Sequence, residues 1–148
     1  MNSEAWSRSS MSALAVSLAL AAATSVAAQP VHVPLDHETT IAGIGVGCTG
    51  IGQTKNDPKW KAYPVLVEFA GPGGEYLANT TLTVTDAKGA EVLEAFCEGP
   101  WTLLQLPPGK TYKVAGQVGR TAAKPVSATV KAPAHGQARY VLNFPGGG

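Results

Sequence analysis

The chain reads as an all-β protein, an antiparallel β-sandwich of about seven strands. Two observations predict it. Apolar residues alternate with a period of two through residues 63–118 and again near the C-terminus. Turn chemistry interrupts that alternation about every ten to twelve residues, with no helical period in between.

In the run from Tyr63 to Ala70, Tyr63, Val65, Val67 and Phe69 share one face, with Leu66 and Glu68 on the other. Gly71-Pro72-Gly73-Gly74 then stops the strand, because proline lacks a donor and glycine opens positive φ. Leu82 and Val84 point inward from the next strand, leaving Thr81, Thr83 and Thr85 on a solvated pleat that suits β-branched side chains. Asp86-Ala87-Lys88-Gly89 is a hairpin signal, after which Val92–Cys97 returns. Gly99-Pro100 turns the chain into a strand over 101–106, which Pro107-Pro108-Gly109 ends. Tyr112, Val114 and Val118 alternate next, followed by Val126, Ala128 and Val130, and then Tyr140, Leu142 and Phe144. His135 falls in the turn before that last run.

The motifs Gly74-Glu75-Tyr76-Leu77-Ala78-Asn79, Leu82-x-Val84-x-Asp86-x-x-Gly89 and Leu106-Pro107-Pro108-Gly109-x-x-Tyr112-x-Val114 carry a resemblance. They look like the carboxypeptidase regulatory-like domain, a transthyretin-like or prealbumin-like sandwich, Ig-like in outline, in its small exported bacterial form. The likeness covers residues 60–145. It implies the fold and no catalytic residue, since the matched positions are turn and core residues. Transthyretin-like hydroxyisourate hydrolases end in a Tyr-Arg-Gly-Ser tail, whereas this chain ends Asn143-Phe144-Pro145 and three glycines. Collagen-adhesin B-type domains share the layout and form a lysine isopeptide assisted by a buried acid. Alignment puts Phe69 at the lysine position and Gly116 at the acid position.

Residues 1–28 read as a signal peptide: Arg8 in a short n-region, an apolar run from Ala13 to Ala23, and Val26-Ala27-Ala28 as the cleavage site before Gln29. The run is too short to span a bilayer comfortably, and no later stretch is long enough to do so. A periplasmic or secreted protein is expected. Residues 29–60 form an N-terminal extension, residues 61–145 the sandwich and residues 146–148 a flexible tail.

The net charge of +1 argues against nucleic acid as a partner. The signs are segregated: residues 29–98 carry every acid of the mature chain, and residues 99–148 only cations. Either a basic face meets an acidic partner, or interleaved strands mix the charges; the second is the expectation. In the extension, His32, Asp36, His37 and Glu38 have chemistry that suits a metal, but their spacing matches no metal motif. Residues 31–42 read as an extended edge segment that two prolines keep loose, so a solvated tail is expected there, with no metal and no cofactor.

Gly45-Val46-Gly47-Cys48-Thr49-Gly50 spells G-x-G-x-x-G, the dinucleotide fingerprint. That fingerprint needs a helix opening behind it, and Gln53-Thr54-Lys55-Asn56-Asp57-Pro58 is turn material. A glycine loop over one end of the sandwich is expected instead. Asp57 as N-cap with Pro58 behind it can start a single helical turn. Cys48 and Cys97, the only cysteines, suit a disulfide in an oxidising compartment, or else remain two separate thiols.

Trp60, Tyr76 and Trp101 are the candidate binding residues, since aromatic rings give large contact area at low entropy cost. Trp60 either covers the sandwich end or stands exposed. Trp101 either fills a core edge or stacks on a sugar or peptide. Glu68, Glu94 and Glu98 are candidate acids if they converge across strands, or if Glu68 or Glu94 turns inward with a raised pKa; on outer faces, the expectation, they are solvated. Together these features point to an exported, non-catalytic module that docks an envelope protein or glycan. The alternatives are a carrier of a small ligand or metal, or a small hydrolase. Nothing in the sequence sets an oligomeric state.

Overall fold

A computed structural model describes residues 29–119 and 124–146; the expected signal peptide lies outside the described residues. Ten strands, not seven, run through them: β1 Val31–Val33, β2 His37–Ile41, β3 Ile44–Thr49, β4 Val65–Ala70, β5 Thr80–Asp86, β6 Glu91–Cys97, β7 Trp101–Leu104, β8 Thr111–Val118, β9 Val126–Lys131 and β10 Ala138–Asn143. They form two five-stranded sheets, ordered β1-β6-β5-β8-β9 and β10-β4-β7-β3-β2. These pack as a sandwich around one core, where Val46, Val67, Phe69, Leu82, Val84, Leu104 and Val114 are all fully buried. Each such side chain contributes about 1.5–3 kcal/mol of burial free energy.

The strands expected over 63–144 are present, except that the first begins at Val65. Tyr63, expected on its core face, ends the preceding 3-10 turn and packs on the outer face with Trp60 and Leu66. The turn chemistry works as read. Asp86 Oδ1 accepts from the backbone of Lys88 and Ala90 at 2.9 and 3.0 Å, and Gly89 takes φ 83°. The expectation of a purely antiparallel sandwich is corrected. β1 runs parallel to β6, and β10 runs parallel to β4. Hairpins force antiparallel pairing only on consecutive strands of one sheet. Both exceptions involve a strand whose chain neighbour lies in the opposite sheet, β1 leading into β2 and β9 leading into β10.

The additional strands come from the N-terminal extension. The extended edge segment expected at 31–42 forms the edge strands β1 and β2; it is not a solvated tail, since Val33 is fully buried. The expected glycine loop is β3, an interior strand between β7 and β2. Ala42 and Gly43, at φ 50° and 79°, make the tight turn that folds β2 back onto β3.

Cys48 and Cys97 are joined in a disulfide, with Cα atoms 5.5 Å apart. The bond links β3 of one sheet to β6 of the other. It lies at the corner where the chain crosses between sheets, because Val33 pairs with Cys97 and His37 pairs with Cys48. Glu98 closes the same corner by accepting from the Leu35 N–H at 3.1 Å and meeting His32 Nε2 at 2.8 Å. At the opposite seam the Tyr140 hydroxyl bonds both the N–H and the carbonyl of Lys131 on edge strand β9.

Because the two cysteines are 49 positions apart, reducing the bond frees a long loop in the unfolded chain. Reduction, or a Cys48→Ala/Cys97→Ala double variant, is expected to cost up to about 4 kcal/mol on the chain-entropy relation. Urea midpoints of the oxidised and reduced protein measure this. Identical midpoints would show that the corner holds without its covalent link.

Candidate functional site

The second sheet turns Gly45, Gly47 and Thr49 of β3, Leu103 and Trp101 of β7, Leu66 and Glu68 of β4, and Arg139 of β10 toward its outer face. Residues 51–64 cross this face as two short 3-10 turns, Thr54–Asn56 and Pro58–Ala62. The second begins as its sequence predicts: Asp57 caps it by accepting from the Lys59 N–H at 2.9 Å, and Pro58 follows. Under the segment Trp60, Tyr63, Leu66 and Leu103 are buried as a second apolar cluster, with Trp101 against it.

Glycine at position 47 permits this overlay. A Cβ there would lie 2.8 Å from the Trp60 ring, closer than real Cβ contacts come. The ring is held in place from three sides. Its Nε1 donates to the Thr54 carbonyl at 2.8 Å, Lys59 Nζ lies 4.3 Å from its centroid, and Gln137 Nε2 donates to the carbonyls of Trp60 and Tyr63 at 2.8 and 3.0 Å. Trp60 therefore neither caps the sandwich end nor stands exposed; it roofs an outer sheet face.

The other two candidate aromatics meet. Tyr76 is 43% exposed and sits edge-on to half-buried Trp101, with centroids 6.0 Å apart. Lys55 lies over both rings, its Nζ 5.4 Å from the Tyr76 centroid and 5.9 Å from that of Trp101. Tyr76 is held by a bridge to Ala70 and by the Leu77 N–H bonding the Phe69 carbonyl at 3.0 Å. Between the crossing segment and the sheet lies a hollow of about 290 Å³, floored by Trp60, Leu66, Trp101 and Leu103, with Lys55, Asn56, Asp57, Lys61 and Gln137 around it. The indole Nε1 of Trp101 is buried beside it with no hydrogen-bond acceptor among the described residues.

The acids do not converge. Glu68 lies on the second sheet, whereas Glu94 lies on the first and Glu98 follows it at the corner. Glu68 is not solvated, as an outer-face carboxylate is expected to be; it is 3% exposed under Arg139, which reaches its Oε2 through Nε and Nη2 at 2.7 and 2.6 Å. Its partner is 71 positions away, so no local pattern announces the pair. That contact also joins the acid-rich and base-rich halves of the chain, as interleaving predicts. Burial, and then neighbouring Glu91, pushes the Glu94 carboxyl up, while the Leu35 N–H and then His32 hold that of Glu98 down.

The residues of the extension diverge rather than gathering around one point. His32 meets Glu98, Asp36 accepts from the Thr49 hydroxyl at 2.7 Å, His37 bonds the Leu35 carbonyl, and Glu38 accepts from the Tyr63 hydroxyl at 2.7 Å. Phe69, at the position aligned to a lysine, packs on Gly116, where an added Cβ would lie 2.5 Å from its ring. No protein-family model matches the chain, and no curated protein matches it. Fold and site thus define a disulfide-linked β-sandwich with one aromatic-lined, lysine-rimmed outer face.

Two outcomes test this overlay. Gly47→Ala is expected to cost about 1–3 kcal/mol, because the clash with an anchored indole outweighs the gain from removing a strand glycine. A urea midpoint equal to wild type would mean the roof can lift freely. Burial, and then the Glu38 hydrogen bond, raises the Tyr63 phenol above its ordinary value near 10. Its stabilisation is therefore complete below about pH 10 and is lost as pH climbs from there toward the folded-state value. Tyr63→Phe should flatten the stability profile above pH 10; an unchanged alkaline slope would refute the assignment.

Proposed function

We propose that this protein is an exported, non-catalytic recognition module of the carboxypeptidase regulatory-like type. It docks an envelope protein or glycan on the outer face of its second sheet. One observation carries the reading: exposed Tyr76 stands edge-on to Trp101 beside an apolar-floored hollow on the outer face of the second sheet. Aromatic side chains at such positions supply much of the energy of recognition surfaces. The acids near the hollow support a binding role, since each is already engaged. Glu68 is paired with Arg139, Glu38 with Tyr63 and Lys59, and Asp57 with the backbone of Lys59. The Cys48–Cys97 bond favours an oxidising compartment, in keeping with a periplasmic or secreted location.

Binding of the oxidised protein to an array of envelope glycans and purified envelope proteins tests the reading. Tyr76→Ala is expected to weaken the captured interaction at least about tenfold, the loss of one hot-spot contact. Its melting temperature should stay within a few degrees of wild type, as for an exposed substitution. Full binding retained by both Tyr76→Ala and Trp101→Ala would rule this face out.

A further inference from the structure

Three lysines, Lys55, Lys59 and Lys61, lie on the segment that crosses the second sheet. Lys59 has its acid, Glu38, at 3.5 Å. Lys55 and Lys61 both line the hollow, and neither has a carboxylate within ion-pair distance among the described residues. The one acid on the rim is Asp57, whose Oδ1 is taken by the Lys59 backbone. Two unpaired ammonium groups over a low-dielectric floor favour a bound anion more than the same charges would in open water.

The remaining walls restrict what that anion is attached to. Trp101, with Tyr76 edge-on to it outside the hollow, offers aromatic surface to an apolar ring face. Gln137 commits its amide nitrogen to two backbone carbonyls, which fixes its carbonyl oxygen as an acceptor at the rim. Asn56 likewise turns its nitrogen to Gln53 at 3.2 Å. Oriented acceptors suit hydroxyl groups, and about 290 Å³ is near the lower limit of ligand sites, room for one ring. A ring with a C–H face, several hydroxyls and a carboxylate is a sugar acid. We propose that the hollow binds one uronic-acid residue of an acidic polysaccharide, with its carboxylate held by Lys55 and Lys61 and its ring against Trp101. This rests on the recognition reading above and names its ligand class.

The test titrates the full, disulfide-bonded protein with three probes: trigalacturonate, its fully methyl-esterified form and triglutamate. Tryptophan fluorescence reports occupancy, because both Trp60 and Trp101 floor the hollow. Trigalacturonate is expected to bind at least about tenfold tighter than the ester at low ionic strength. Raising salt to about 0.5 M should shrink that margin, since charges at a solvent-facing rim are screened over a few ångströms there. Lys55→Gln and Lys61→Gln should each bring binding of the acid down toward that of the ester. Equal affinity for acid and ester would overturn the charge assignment while leaving a glycan module standing. Triglutamate binding as tightly as trigalacturonate would overturn the sugar, leaving charge alone. Absence of a response to all three would overturn the inference outright, and the Tyr76→Ala comparison on the arrays then decides the recognition reading separately.

Discussion

The outer face of the second sheet is organised by side chains that β3 does not have. Sheets of a sandwich usually turn polar side chains to water on their outer pleat. Here β3 presents Gly45 and Gly47 outward, so a strip of bare backbone runs along the sheet beside Leu103 and Leu66. Bare backbone lets Trp60 lie against the strand and Tyr63 reach across to Glu38 on β2. Once those rings are down, the crossing segment has its anchor, and the position of Lys55 over Tyr76 and Trp101 follows. A single methyl at Gly47 would push against this whole arrangement.

The inward side of the same strand serves a different purpose. Val46 fills the core, and Cys48 reaches across it to Cys97, so β3 is tied to both the other sheet and its own overlay. The arch between β1 and β2 passes over this bond, clasped by Glu98. Apart from Val33 and Ile41, the side chains of β1 and β2 are exposed or half-buried, which leaves little burial to hold these short edge strands. Their attachment therefore depends on the covalent corner and its hydrogen bonds more than on apolar packing.

From Val65 onward the strand pattern was legible, because each strand alternates strongly and each turn carries its own chemistry. Residues 44–49 were misread as a loop for a physical reason. Glycine is the residue that most weakens strand propensity, and here it occupies alternate positions because another layer lies on top of the strand. Ile44, Val46 and Cys48 do alternate between those glycines, a period-two signal hidden by the glycines' loop-like composition. Aromatic residues downstream that need a flat surface are its other half, at a separation no local window spans. The burial of Glu68 escaped for a similar reason, since a carboxylate on an outward position reads as solvated until Arg139 is placed above it. Tyr76 and Trp101 were identifiable as candidates, but their meeting, with Lys55 over both rings, was not.

The candidate site divides into a fixed floor and an adjustable rim, which bears on how selective it can be. Trp60 is held by Thr54, Lys59 and a Gly47 contact, Leu66 and Leu103 belong to paired strands, and Gln137 is oriented by two carbonyls. A floor so constrained loses little conformational freedom when a ligand arrives, so contacts to it convert efficiently into affinity. Lys55 and Lys61 are long side chains with no hydrogen bond or carboxylate partner among the described residues, and ordering them on a ligand costs entropy. That division predicts shape discrimination by the aromatic floor and charge discrimination, weaker and salt-dependent, by the lysines. A ligand satisfying only one of the two is held loosely, as suits a module that must distinguish one surface polymer from another while remaining free to let go.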